Sequence, residues 1–305
     1  MSKYYHFLLV IAYIFITMAT IFIILTFFGW NIVPRGGATR LFITACWMAF
    51  CFSAVYWWPQ IVLMKMNVRR GILEEENRIL SCMQALQSKL DDISTYQLLI
   101  FEDPGPNAFA IGKRTIVLSD GILNLLDESE ISAVLAHELG HLRSNDCMVG
   151  TAFSVAFLIP SKIQWLTGIC LQSLGRGFRA RSFYGGGIPL QEYIRVTISL
   201  IAVGMLFAYF HLFHYLLAII SLDLLLKNLD KLFLSLWLWN SRLREYKQDA
   251  FAHELGFGLA LKQALLKITK SIPAQPVNLY TVLMYHNHPV VYNRIRRLEK
   301  LAGLR

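Results

Sequence analysis

His137-Glu138-Leu139-Gly140-His141 sits in a run where Ile131, Val134 and Leu135 recur at helical spacing. Asp127 stands three residues before Glu130, a capping-box arrangement with Asp in the capping place, so a helix is predicted to start there. Residues four apart on a helix share a face, and His137 and His141 can therefore turn two imidazoles toward one ion. Glu138 is rotated by about a quarter turn. It can stay off the ion and reach a water held by it. Two histidines and an adjacent carboxylate in this order suit a hydrolytic zinc site, because zinc lowers the pKa of bound water toward about 7 and a carboxylate can then take its proton. A motif this short also arises by chance, so the reading depends on what surrounds it.

A catalytic zinc site needs a third protein ligand and an open fourth position. The best candidate is Glu245, in Ser241-Arg242-Leu243-Arg244-Glu245-Tyr246-Lys247-Gln248-Asp249. Asp249 lies four residues on and can share its face, where it could orient a ligand histidine from behind. The same spacing also fits a solvated helix face with charged neighbours, and local sequence leaves both readings open.

The composition is that of a membrane protein. Only 16% of the 305 residues are charged and 55% are hydrophobic, whereas soluble domains carry about 25% charged residues. The net charge of +9 does not point to nucleic acid, because the basic residues are scattered beside apolar stretches, where anionic lipid is the simpler partner. The five cysteines form no C-x-x-C pair and no secreted disulfide framework.

Phe7 to Phe28 carries no charge and is long enough to span a bilayer. No small-residue cleavage site follows it, so it reads as an anchor. Leu41 to Leu63 is a second span, with Trp57 and Trp58 near its end as interface aromatics. Lys3, Lys65, Arg69 and Arg70 outweigh Arg35 and Arg40, which places both ends of this hairpin in the cytoplasm. Gly71 to Leu90 is predicted as an amphipathic helix. Tyr96 to Phe101, Phe109 to Ala110 and Thr115 to Leu118 are predicted as strands. Val149 to Leu171 and Val196 to Ile220 are candidate spans, the first weakened by Pro160 and Lys162. Leu222 to Asn240 is amphipathic and could lie on the membrane surface.

Four blocks in order give a family resemblance: Pro106-Asn107-Ala108-Phe109-Ala110-Ile111-Gly112, Ala136 to His141, Ser241 to Ala250, and His288-Pro289-Val290-Val291-Tyr292-Asn293-Arg294-Ile295. Together they resemble the HtpX-type membrane metallopeptidases, relatives of the CAAX prenyl proteases and Oma-type proteases. The resemblance implies one Zn2+ per chain held by His137, His141 and Glu245, with Glu138 as general base. It implies Asp249 as the carboxylate behind His137. His288 and Arg294 either steady the oxyanion or brace the site, and Asn107 lies near a strand that pairs with an extended substrate. Two departures stand out. Gln248 occupies the place of the family's Ala, with no consequence expected. The stretch between the zinc helix and Glu245 is longer than in HtpX, and its arginines oppose the positive-inside bias if Val149 to Leu171 crosses.

Two other clusters are decoys. His253-Glu254-Leu255-Gly256 repeats the start of the motif but has Phe257 where the second histidine would stand. His211 and His214 lie three apart in an apolar stretch without carboxylate ligands, and are expected to be satisfied within a helix bundle rather than to form a second metal site.

The expected fold is a mainly α integral-membrane protein, with a gluzincin-type zinc metallopeptidase domain and a small β-sheet packed on a transmembrane bundle. Its expected parts are an N-terminal hairpin (1–66), the first part of the catalytic domain (67–148), membrane segments (149–221) and the second part of the catalytic domain (222–305). The expected activity is zinc-dependent endopeptidase cleavage of membrane or misfolded polypeptides. The expected setting is a bacterial inner membrane with the active site facing the cytoplasm, and the partners are polypeptide substrate and lipid bilayer but no nucleic acid. The competing reading is an inactive scaffold or chaperone on the same fold, against which the intact Glu138 argues. A transporter is disfavoured, because neither repeated halves nor recurring midplane polar residues are present.

Overall fold

Apolar length decides the first two elements. Helix α1 (Tyr5–Phe27) and helix α2 (Gly37–Lys65) are long and apolar enough to cross a membrane, and so is the stretch Asp146–Ile169. The computed structural model describes residues 5–27, 36–66, 68–179, 190–209, 212–271 and 291–304. It is mainly helical, with one small sheet.

Helix α3 (Leu73–Gln87) begins two residues inside the predicted start. Its entry is fixed by Glu75, which accepts from the Ile72 N–H at 2.8 Å and from the Arg69 guanidinium at 2.6 and 2.9 Å. Strands β1 (Gln97–Phe101), β2 (Ala108–Ile111) and β3 (Thr115–Ser119) follow, within a residue or two of the predicted positions. Strand β3 is central, parallel to β1 and antiparallel to β2. The short helix α4 (Asp120–Leu125) leads to helix α5 (Glu128–Arg143), which carries the histidines.

The predicted capping box is present at the start of α5. Asp127 accepts from the Glu130 N–H and Glu130 accepts from the Asp127 N–H, both at 2.9 Å. One core holds α5 in place: Ile100, Ile116 and Leu118 of the sheet, Leu86 of α3, and Leu135 and Leu139 of α5.

Beyond α5, helices α6 (Asp146–Ala156) and α7 (Leu158–Arg179) divide the apolar stretch at Phe157. Pro160 falls in the first turn of α7, where a missing N–H breaks no helical hydrogen bond. Helix α8 (Leu190–Tyr209) precedes helix α9 (Leu212–Glu254). The candidate span 196–220 contains residues 210 and 211, which lie outside the described residues.

Helix α9 runs without a break through Leu222 to Asn240, the amphipathic stretch singled out in the sequence. No Gly or Pro interrupts its 43 residues, so nothing in the sequence stops it. Asp223 and Asp230 are buried together with Leu222, Leu226 and Phe233, while Lys227, Lys231, Leu224 and Leu232 are exposed. The Tyr13 hydroxyl donates to Asp230 at 2.7 Å, and the Gln164 amide donates to its other oxygen. The Thr167 hydroxyl and the Lys227 ammonium each meet Asp223 at 2.6 Å. The buried carboxylates are thus matched by donors, as buried polar groups require.

Gly256 ends α9 with φ +88°. Its N–H bonds to the His253 carbonyl and that of Phe257 bonds to the Ala252 carbonyl, at 2.8 and 2.9 Å. This Schellman closure needs a left-handed residue, which glycine supplies without strain. The decoy run at His253 is therefore a helix terminus. Helices α10 (Gly258–Ser271) and α11 (Val291–Leu301) complete the fold. Lys267 of α10 reaches the Glu130 carboxylate at 2.6 Å, tying α10 to the α5 cap.

Two compact units result. The first comprises Met1–Phe7, Phe50–Val155 and Ser235–Arg305, and the second comprises Leu8–Ala49 and Ala156–Leu234. The sheet and α5 belong to the first, and the buried polar contacts of Asp223 and Asp230 belong to the second.

Removing the cap should weaken the helix that carries the histidines. Asp127→Ala is expected to cost about 1 kcal/mol, read as a lowered unfolding temperature in detergent. An unchanged transition would show that the core contacts of α5 alone set its start.

Candidate metal centre

Helices α5 and α9 meet closely because residue 140 has no side chain. A Cβ there would collide with the Gln248 amide and press on the Phe251 ring at 3.2 Å. The close approach brings Glu245 to both imidazoles. Its Oε2 lies 3.4 Å from His137 Nε2 and its Oε1 lies 3.2 Å from His141 Nε2. The donor atoms of His137, His141 and Glu245 all lie within 4.8 Å of one another. Tetrahedral zinc, with bonds of about 2.0–2.2 Å, spaces its donors by roughly 3.3–3.5 Å. The three residues therefore fit a zinc ion.

The other nitrogen of each ring meets a carboxylate. His137 Nδ1 lies 3.0 Å from Asp249 Oδ1, and His141 Nδ1 lies 3.2 Å from Asp146 Oδ2. Each contact leaves Nε2 turned toward Glu245. Asp146 is steadied by Gln248, whose amide donates to it and to Ser144 Oγ, each at 3.0 Å. Gln248, where no consequence was expected, is thus part of the support.

Arg294 is buried at the back of the site. It donates to Asp249 through Nε at 2.9 Å and through Nη2 at 2.6 Å, and its Nη1 lies 3.3 Å from Glu245 Oε2. Glu138 is buried beside the imidazoles at 7% exposure. His288 lies outside the described residues. Asn107 is exposed and precedes β2, an edge strand of the sheet. Its backbone N–H donates to the Ser119 hydroxyl at 2.9 Å.

The electrostatics agree with a cation site. Four buried carboxylates (Glu138, Asp146, Glu245, Asp249) face two buried guanidiniums (Arg244, Arg294), which leaves an excess of two negative charges. Burial opposes protonation of both imidazoles, but the carboxylates outweigh it. His137 is raised by Asp249 and Glu245, and His141 is raised to about 10 by Asp146 and Glu245. Burial would raise Asp249, yet His137 and Arg294 hold it down at about 2. A divalent ion can take the place of those protons, because it meets the same negative field.

Sequence reasoning missed Asp146, five residues past His141 and off the helical register. The chain turns at Asn145, which adopts φ 60°, a conformation Asn tolerates better than most residues. That turn swings Asp146 back onto the His141 ring. Asn directly before an acidic residue, just beyond the second histidine, was the available signal.

A family model described as Peptidase family M48 matches residues 74–302. A protease HtpX homolog of Lactobacillus helveticus is 27% identical over 312 residues, covering 93% of this chain and 95% of that one. One from Pelotomaculum thermopropionicum is 32% identical over 160 residues, and the match spans 50% of this chain and a little over half, 56%, of the relative. The crystal structure of S. mikatae Ste24p aligns with a TM-score of 0.50 at 20% identity, covering 90% of this chain and 61% of that one. At that identity the likeness is one of fold.

The carboxylates behind the rings yield a prediction. Asp146→Asn and Asp249→Asn should each weaken zinc binding about 10- to 100-fold, measured by competition with a chromogenic chelator. Wild-type affinity in the Asp146 variant would reduce its contact with His141 to a structural one.

Proposed function

The chain belongs to peptidase family M48, as an HtpX-like member, and from that premise we propose that it is a zinc-dependent membrane endopeptidase. The observation that carries the reading is the placement of Glu245 at 3.4 and 3.2 Å from the Nε2 atoms of His137 and His141. These three residues hold the ion. Zinc bound by three protein donors supplies Lewis-acid polarisation of a carbonyl and of a water molecule.

The remaining chemistry belongs to the chain. Glu138, next to His137 and off the ligand set, takes the proton of the attacking water on its carboxylate and returns it to the leaving amine. Asp249 and Asp146 accept from the Nδ1–H groups and keep both Nε2 atoms available. Arg294 clamps Asp249 and Glu245 together, and this contact pattern favours bracing over an oxyanion role. Strand β2, with Asn107 at its start, offers an edge along which an extended polypeptide can add as a further strand. His288 has no part assigned.

The substrate is a membrane or misfolded polypeptide. The positive-inside bias of Lys65, Arg69 and Arg70 supports a cytoplasmic active site in a bacterial inner membrane.

Three substitutions and a fourth test this reading. His137→Ala, His141→Ala and Glu245→Ala should each lose zinc from the purified protein, measured by elemental analysis. Glu138→Gln should keep zinc and lose peptide hydrolysis by about 100- to 10,000-fold, followed with an unfolded casein-type substrate. A Glu138→Gln variant that cleaves at the wild-type rate would sink the mechanism. A zinc-loaded wild type that cleaves neither membrane nor unfolded soluble substrates would favour the scaffold reading.

A further inference from the structure

A second polar site adjoins Arg244. A half-open cavity of about 210 Å³ is lined by His6 of α1, by Asn240, Arg244 and Lys247 of α9, and by Arg297 of α11. Among the described residues, its lining includes no carboxylate. Three polar atoms in it are buried without a hydrogen-bond partner: Asn240 Nδ2, Arg244 Nε and His6 Nδ1. Asn240 and Arg244 are only 2% and 6% exposed. Folded proteins leave few buried donors unpaired, because the lost solvation is not recovered.

The remaining geometry describes a rim. Lys247 and Arg297 are exposed, and the Arg297 guanidinium rests 4.8 Å from the centre of the Tyr246 ring. The Arg244 guanidinium stacks 4.5 Å from the Trp237 ring, so its planar face is fixed, while Nη1 stands 3.8 Å from Asp146 Oδ1. The Nε edge remains for another acceptor. Fixed buried donors with exposed cations at the mouth suit a compact oxyanion that accepts several hydrogen bonds.

The depth of the site narrows the ligand. His6 is in the first turn of α1, the helix most apolar of the candidate spans. Asn240 follows directly on Trp239, an exposed aromatic of the kind that marks a membrane–water boundary. Anionic headgroup phosphates lie at that level.

We propose that the cavity formed by His6, Asn240, Arg244, Lys247 and Arg297 binds an anionic phosphate group, as carried by an acidic phospholipid headgroup. Asn240 and the Arg244 Nε–H donate to its oxygens, and Lys247 and Arg297 close over it. Because Arg244 precedes Glu245 and faces Asp146, the phosphate sits one residue from the metal centre without touching it.

The test uses the full chain in a zwitterionic detergent. Dihexanoyl-phosphatidylglycerol, dihexanoyl-phosphatidylcholine and inorganic phosphate are titrated separately, with binding read by isothermal calorimetry. The glycerol lipid should bind at least tenfold more tightly than the choline lipid. The double charge reversal Lys247→Glu/Arg297→Glu should weaken it at least tenfold, and so should Asn240→Leu. Lys247→Arg/Arg297→Lys should retain it. Metal content and unfolding temperature, measured on the same samples, report the fold and the metal centre separately. Inorganic phosphate binding as tightly as the glycerol lipid, with the same sensitivity to the variants, would assign the site to free phosphate. Equal affinity for the two lipids with no phosphate binding, or full affinity in the charge-reversed protein, would overturn the proposal.

Discussion

Glu245 can face two imidazoles only where α9 passes α5 with no side chain between them, and Gly140 is that point. The contact fixes more than a ligand. It sets the depth at which Gln248 reaches Asp146 and the angle at which Asp249 reaches His137. Each imidazole is then held from two sides, by a carboxylate behind and by Glu245 in front. The sheet supports this indirectly, since Ile100, Ile116 and Leu118 pack in the core that holds α5.

The site concentrates negative charge in a buried place, which requires compensation. Arg294 provides part of it by holding Asp249 with two hydrogen bonds and lying 3.3 Å from Glu245. Arg244 provides more beside Asp146, at a longer distance. The two guanidiniums stand on different elements, α11 and α9, so the charge balance depends on parts of the chain far apart in sequence. This explains why a block near residue 294 belongs with a motif near residue 137.

Much of this was legible in the sequence because it is periodic or local. The His137/His141 pair, the Asp127 cap and the three short strands follow from spacing within a few residues. Glu245 and Asp249 could be put on one face, but spacing alone left a solvated surface open; both are buried against the imidazoles. Asp146 and Gln248 were not legible. One depends on a left-handed turn at Asn145, and the other on a close approach across more than a hundred residues. The amphipathic stripe at Leu222 to Asn240 was legible, but not the partners of its acidic residues: Asp223 and Asp230 meet Thr167, Tyr13 and Gln164, on helices far away in sequence.

The two buried aspartates bear on the order of assembly. A lone helix carrying two aspartates partitions poorly into hydrocarbon, at about 2.5–3.5 kcal/mol for each one near its centre. The acceptors of Asp223 and Asp230 are met by hydroxyl and amide donors on α1 and α7, which precede α9 in synthesis. Tyr13 is therefore a docking point for a helix made some two hundred residues later. The buried aspartates of α9 find their donors on helices synthesised before it, so the earlier helices act as a template for the later one.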